Sequence, residues 1–241
     1  MFVAGMRITA LVLLFAVCAP IHIATKLLFG SSGWPRRFLS AAAWICGARV
    51  RITGEHIRPH TLLICNHTSW LDIPVLGGAT GCAFVSKAKL GHPLVHWMAD
   101  QDATLYVRRD QRRGAASQAK AIAEKLRDPQ PLALFPEGTT GPGTHLLPFR
   151  STLFDAVAPA PAGVEVRPVA IDYGDAVPQV GWYDEPGKDN VLRILGRARS
   201  IPVIIRILDP LEPSGDRKVL ARAARDSIDA ALASSRRNAR V

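Results

Sequence analysis

The sequence predicts an α/β fold, a mixed or largely parallel sheet flanked by helices, behind an N-terminal helical membrane anchor. Short apolar, β-branched runs alternate with helix-period segments from residue 49 onward, which is the pattern of a sheet layered with covering helices. The runs are apolar without strict alternation, so both faces of each strand must be buried. Ahead of them lie about thirty residues too apolar for a water-exposed helix.

After Arg7 the chain stays apolar through Ala19 and again to Leu27-Leu28-Phe29, then meets Gly30-Ser31-Ser32-Gly33. Arg7 before an apolar core, with the small residues Val17-Cys18-Ala19 after it, has the look of a signal peptide. Pro20 would follow that cut and the apolar character resumes beyond it, which favours a retained segment. A spanning helix needs roughly 20 uninterrupted apolar residues. Pro20, His22 and Lys26 interrupt this one, so the expected anchor either crosses once or dips into one leaflet. Residues 34–46 join Arg36 and Arg37 to Phe38, Leu39, Trp44 and Ile45. That composition suits a helix at a headgroup boundary, or a core helix over the sheet. If the anchor spans, Lys26, Arg36 and Arg37 outnumber Arg7 and put the active domain on the cytoplasmic side. Residues 1–48 are expected to be membrane-associating helices, and residues 49–241 one α/β domain.

Within that domain strands are expected at residues 50–53, 61–65, 83–85, 104–107, 132–135, 165–171 and 202–208. Helices are expected at 70–76, 93–99, 113–127 and 217–232. In the last of these, Leu220, Ala224, Ile228 and Ala231 form one stripe. The closing Arg236, Arg237 and Arg240 read as a solvated tail. A net charge of +10 points to an anionic partner, either nucleic acid or acidic lipid. The basic residues are scattered and not interleaved with aromatics, which argues against nucleic acid. Cys18, Cys46, Cys65 and Cys82 have no CxxC spacing and sit in apolar runs, so they read as reduced packing thiols. His92 and His96 are four apart but have no third ligand at a recognised spacing, and no metal is expected.

Two loops carry candidate chemistry. The strand ending at Cys65 runs into Asn66-His67-Thr68-Ser69-Trp70-Leu71-Asp72. One reading is a helix start, with Ser69 as N-cap and Asp72 as its capping-box partner. That leaves His67 unexplained. In a continuous helix five residues turn through about 500° and the two side chains diverge. With His67 in the preceding loop, its ring can fold back toward Asp72, which would fix the tautomer and free the other nitrogen as a general base. The second loop, Phe135-Pro136-Glu137-Gly138-Thr139-Thr140-Gly141, also follows an apolar strand. A carboxylate there must face solvent or have a basic partner, while Gly138 and the Thr hydroxyls could approach an anionic group. The alternative is an ordinary surface turn; the GxxxxGK[ST] phosphate loop is absent. Arg108, Arg109 and Arg150 flank these loops, and ligands of open α/β sheets sit at such strand ends.

These segments, in order, are Asn66-His67 with Asp72, Leu105-Tyr106-Val107-Arg108-Arg109, Phe135-Pro136-Glu137-Gly138-Thr139 and Val166-Arg167-Pro168-Val169-Ala170. Together they resemble the four blocks of the glycerolipid acyltransferase family typified by bacterial 1-acylglycerol-3-phosphate acyltransferase, across roughly residues 50–172. The resemblance implies acyl transfer from acyl-CoA or acyl carrier protein to the hydroxyl of a membrane lysolipid, lysophosphatidate giving phosphatidic acid, with no cofactor or metal. It makes His67 the base and Asp72 its orienting partner. Asn66, Arg109, Glu137, Gly138, Thr139 and Arg150 become the substrate-binding set, and Pro168 is assigned to the donor region. The chain departs from the family at Thr140, at Ser151-Thr152-Leu153-Phe154 and at Asp102-Ala103-Thr104. These changes touch the acceptor pocket more than the base and leave room for another acceptor, such as lyso-ornithine lipid. A non-catalytic membrane scaffold is the rival of another class.

Overall fold

The computed structural model describes residues 2–87, 93–107 and 115–238. All seven expected strands form, as β1 (Ala48–Gly54), β2 (Thr61–Cys65), β3 (Ala83–Lys87), β4 (Leu105–Val107), β5 (Leu132–Leu134), β6 (Glu165–Asp172) and β7 (Ile201–Ile207). They make one sheet in the order β1-β7-β6-β2-β5-β3-β4. Every pairing is parallel except β6 with β7.

The period-2 geometry of β2 explains its unbroken apolar sequence. Leu63 and Cys65 join the core on one side of the sheet, Leu62 and Ile64 the core on the other, and all four are fully buried. The helices are α1 (Phe2–Phe29), α2 (Trp34–Ile45), α3 (Asp72–Thr80), α4 (Pro93–Gln101), α5 (Ala115–Lys125), α6 (Val177–Val180), α7 (Gly187–Leu195) and α8 (Arg217–Asn238). The stripe Leu220, Ala224 and Ile228 of α8 is buried as its spacing required. Two short helices, α6 and α7, and a 3₁₀ segment at Ser151–Val157 fall where no element was expected. α6 and the 3₁₀ segment are too short to carry a periodic signal, whereas α7 has start marks in Pro186 ahead of it and Asp189 in its first turn.

The four cysteines are free and buried. Burial pushes the Cys82 thiol up to about 12 and Cys65 well above its ordinary value, as fits packing residues.

The N-terminal segment is one continuous helix of 28 residues, about 42 Å long, despite Pro20. Pro20 lies on its exposed side and His22 turns inward, so neither ends the helix. Ala4, Arg7, Leu11, Phe15, Cys18 and His22 recur at helical spacing along the face toward the domain. Arg7 donates to the carbonyls of Ile194 and Leu195 at 3.3 and 3.2 Å, capping the C-terminal end of α7. Phe15 meets Phe38 of α2 and Trp97 of α4 edge-on. The outer face keeps Phe2, Val12, Leu13, Leu27, Leu28 and Phe29 exposed.

Helix α2 packs against α3, which makes the core-covering alternative the better description of its inner face. Arg36 donates to the carbonyls of Gly78 and Ala79 and so caps α3 instead of facing a membrane. The approach is close: a Cβ on Gly78 would lie 2.5 Å from the backbone nitrogen of Ser40. Gly78→Ala is therefore expected to destabilise the fold by about 1–3 kcal/mol, read as a lowered midpoint in chemical denaturation.

Candidate active site

Three adjacent parallel strands end at one edge of the sheet, and each delivers part of the site. β2 leads into Asn66 and His67, its neighbour β5 into Pro136 and Glu137, and its other neighbour β6 into Tyr173. The loop after β2 is held down by Asn66, whose amide donates to the Ile171 carbonyl at 3.0 Å and accepts from the Ile171 N–H at 2.8 Å. Asn66 thus prolongs the ladder with its side chain. Its amide is committed to backbone, not offered to substrate as the resemblance implied.

His67 Nδ1 lies 2.8 Å from Asp72 Oδ2. The same oxygen accepts the N–H groups of Thr68 and Ser69 at 2.7 and 2.9 Å, and Oδ1 accepts the Tyr173 hydroxyl at 2.6 Å. Asp72 is fully buried, so four donors replace its lost hydration. Burial and the adjacent Asp72 hold the Tyr173 phenol well above its ordinary value, which keeps it a donor. With Nδ1 engaged by the carboxylate, Nε2 is the nitrogen left to accept a proton. The ring stacks on Phe135, with centroids 4.1 Å apart. Helix α3 starts at Asp72, two residues later than expected, because Trp70 and Leu71 form a turn. Half of the capping box survives, in the Ser69 N–H bond to Asp72, while Ser69 Oγ accepts from Leu71 N–H at 3.3 Å.

Glu137 has neither of the environments expected for it. It is 5% exposed, and its two oxygens accept the His67 N–H at 2.7 Å and the Leu147 N–H at 2.8 Å. Among the described residues it has no ion-pair partner. Burial raises it above the usual carboxylate value, partly offset by those backbone bonds. Glu137 therefore braces the His67 loop from behind. A glutamine can accept only one of the two bonds well, so Glu137→Gln is expected to cost about 1–3 kcal/mol, measured as a shift in the denaturation midpoint.

Gly138 adopts φ +75°, which suits glycine, and with Thr139 it lines the cavity described next. Arg150 is exposed, and its N–H closes the turn onto the Pro136 carbonyl at 3.0 Å. Arg108 and Arg109 lie outside the described residues, as does His92. Pro168 sits within β6, opposite Ile64, and is not part of the cavity wall. Arg167, beside it, is buried and paired with Glu165 and Glu55. Tyr173 escaped the sequence analysis; its signal was an aromatic hydroxyl directly after a buried strand, meaningful only once β6 is known to flank β2.

Beside the His67 ring lies a cavity of about 450 Å³. Phe15 and Cys18 of α1, Phe38 and Leu39 of α2, Phe84 of β3 and Trp97 of α4 supply its apolar walls. Among the described residues no group of His, Cys, Asp and Glu is arranged to hold a metal ion. An oriented imidazole with one nitrogen available, beside a largely apolar cavity, can take a proton from a hydroxyl held next to a lipid-like chain.

The fold and this site suit chemistry on a lipid-like molecule, and comparison with known proteins gives the family. A model of the Acyltransferase family matches residues 49–172. The lyso-ornithine lipid O-acyltransferase of Pseudomonas aeruginosa is 38% identical over 201 residues, covering 79% of this chain and 76% of that protein. The 1-acyl-sn-glycerol-3-phosphate acyltransferase of Neisseria meningitidis is 33% identical over 128 residues, 53% of this chain and 46% of that protein. The crystal structure of the 1-acyl-sn-glycerophosphate acyltransferase PlsC from Thermotoga maritima superposes with a TM-score of 0.63 at 21% identity, covering 96% of this chain and 97% of that one. This chain belongs to the acyltransferase family.

Proposed function

We propose that this acyltransferase moves a fatty acyl group from an acyl-CoA or acyl-carrier-protein thioester to the free hydroxyl of a lysolipid at a membrane surface. The observation that carries the proposal is the Asp72-held His67 ring lining an apolar cavity. At about 30 Å³ per methylene-sized unit, the share of one liquid water, that cavity takes a chain on the order of 15 carbons. The acceptor hydroxyl attacks the thioester carbonyl and gives its proton to Nε2. The oxyanion collapses, the C–S bond breaks, and the proton passes to the leaving thiolate. A thioester is already activated, so proximity, a base and hydrogen bonds to the oxyanion are sufficient.

For the acceptor, lyso-ornithine lipid is the better reading. Relatives named for that substrate match 58–93% of the chain against 48–53% for those named for 1-acylglycerol-3-phosphate, and the lyso-ornithine lipid O-acyltransferase of Pseudomonas aeruginosa is 38% identical against 33% for the Neisseria meningitidis enzyme. The change at Thr140 points the same way, because it falls in the block the resemblance assigns to phosphate binding. Helix α1, of mean hydropathy 2.2 and attached along its inner face to the domain, suits a helix lying in one leaflet better than one crossing the bilayer. The basic surface then meets the anionic headgroups of the cytoplasmic leaflet, where acyl thioesters are made. The test is thioester consumption across a panel of lysolipids with both donor types in mixed micelles. Transfer to lyso-ornithine lipid well above lysophosphatidate is expected. The reverse preference replaces the acceptor, and no consumption with any pair removes the activity.

A further inference from the structure

The backbone of His67 is held at both ends. Its N–H donates to Glu137 Oε1 at 2.7 Å, and its carbonyl accepts the Gly141 N–H at 2.9 Å. Gly141 is held in turn from outside the sheet, because its own carbonyl accepts the Trp182 N–H at 3.0 Å. The two loops meet closely there. A Cβ on Gly181 would lie 2.2 Å from the Pro142 carbonyl oxygen, so no side chain fits between them. Gly181 and Trp182 belong to the segment joining α6 to α7, past residue 172, where the family match ends.

One peptide unit makes the connection. The Gly181 carbonyl and the Trp182 N–H share a planar group and point opposite ways. On the side away from Gly141, that carbonyl accepts from Asn190 Nδ2 at 3.2 Å and from Arg193 Nη2 at 2.8 Å. The same Nδ2 donates to Glu185 Oε1 at 2.8 Å, and Arg193 pairs with Glu185 and donates to the Pro178 carbonyl at 3.0 Å. The Asn190 bond, together with Arg193, keeps the Glu185 carboxyl below its ordinary value. Asn190 is fully buried, yet its Oδ1 has no partner among the described residues. Burying an amide with its acceptor unused costs free energy, and here only the donor side offsets that cost.

We propose that Asn190 and Arg193 are positioning residues for His67, acting through the peptide between Gly181 and Trp182. With that peptide plane fixed, its N–H must point at Gly141, and Gly141 sets where the His67 backbone sits. Asp72 fixes the Nδ1 end of the same residue. Nε2 is thereby held at one distance from the acceptor hydroxyl, a condition on which the rate depends steeply. Among the described residues neither α6 nor α7 lends a side chain to the cavity wall, so substrate contacts should survive when this support is lost. The inference rests on the acyl-transfer reading only for the rate that is measured.

Asn190→Leu and Arg193→Met remove the donors and keep the bulk. Each should lower kcat for thioester consumption about tenfold, with KM for donor and acceptor within about twofold of wild type. The control is Leu220→Ala, which opens the core on the other side of the sheet and destabilises the fold without touching this chain of bonds. Its kcat should stay near wild type at temperatures where it is folded. In a His67→Ala background Asn190→Leu should cost no further rate, since both act through one residue. A second readout needs no turnover. His67 lies against the Phe135 ring, with centroids 4.1 Å apart, so the Phe135 ring current shifts the His67 Cε1–H resonance in histidine-labelled protein, assigned by its loss in His67→Ala. That resonance should move in both variants and stay in Leu220→Ala. Should Asn190→Leu fail to fold, Arg193→Met, whose side chain is part-exposed, carries both readouts. A resonance that stays put in the folded variants overturns the positioning role, and so does an equal loss of rate with and without the His67 ring. A resonance that moves while the wild type consumes no thioester upholds the role and removes the acyl-transfer reading instead.

Discussion

His67→Ala is expected to lower acyl transfer by roughly 10²–10⁴-fold, the contribution of a positioned general base, while the protein remains folded. The geometry separates the two effects. Without the ring, Asp72 still accepts from the Thr68 and Ser69 N–H groups and from the Tyr173 hydroxyl, so no carboxylate is stranded. The Glu137 bond reaches the backbone of residue 67, not its ring, so the loop stays braced. The structural loss is the stacking on Phe135. Single-turnover thioester consumption, followed beside a circular-dichroism melt, reads both quantities. Turnover within a few-fold of wild type would show that the acceptor proton leaves by another route.

Asp72→Asn should be the second largest loss, about 10²-fold in rate, and unlike His67→Ala it should also cost about 1–3 kcal/mol of stability. Asp72 Oδ2 serves three donors and Oδ1 one. An asparagine has a single oxygen. If that oxygen takes the Oδ2 place, the amide nitrogen confronts the Tyr173 hydroxyl, which must turn round and accept. The imidazole keeps its orientation but loses the negative charge that stabilises its protonated form. Tyr173→Phe in the same background separates the contributions: the stability loss should shrink, since the mismatched hydroxyl is gone, while the rate loss stays. Stability and rate recovering together would mean that Asp72 acts only through the fold.

The strands were legible because burial on both faces demands unbroken apolar runs such as Leu62-Leu63-Ile64-Cys65, and the sheet supplied that burial. His67 and Asp72 were legible as a pair because a loop histidine ahead of a helix start has few other uses for a carboxylate at that spacing. What surrounds the pair was not legible. Asn66 and Tyr173 act across the β2–β6 boundary, and strand order is not written in any local pattern. Glu137 was misjudged for a related reason. An unpaired carboxylate suggests water or a cation, yet two backbone N–H groups from His67 and Leu147 meet the same electrostatic need, and those become available only after β2 and β5 lie side by side. Pro20 and His22 interrupt the apolar run without ending the helix, and His22 marks the turn of α1 that faces Ser32 and Gln101.

Helix α1 is at once the exposed apolar strip and, through Phe15, Cys18 and His22, one wall of the cavity beside His67. The apolar strip and the cavity wall are therefore the same object. Deleting the first thirty residues would open that cavity along one side while leaving the His67–Asp72 pair in place. A change to the outer face of α1 and a change to the cavity beside His67 cannot be engineered independently in a protein built this way.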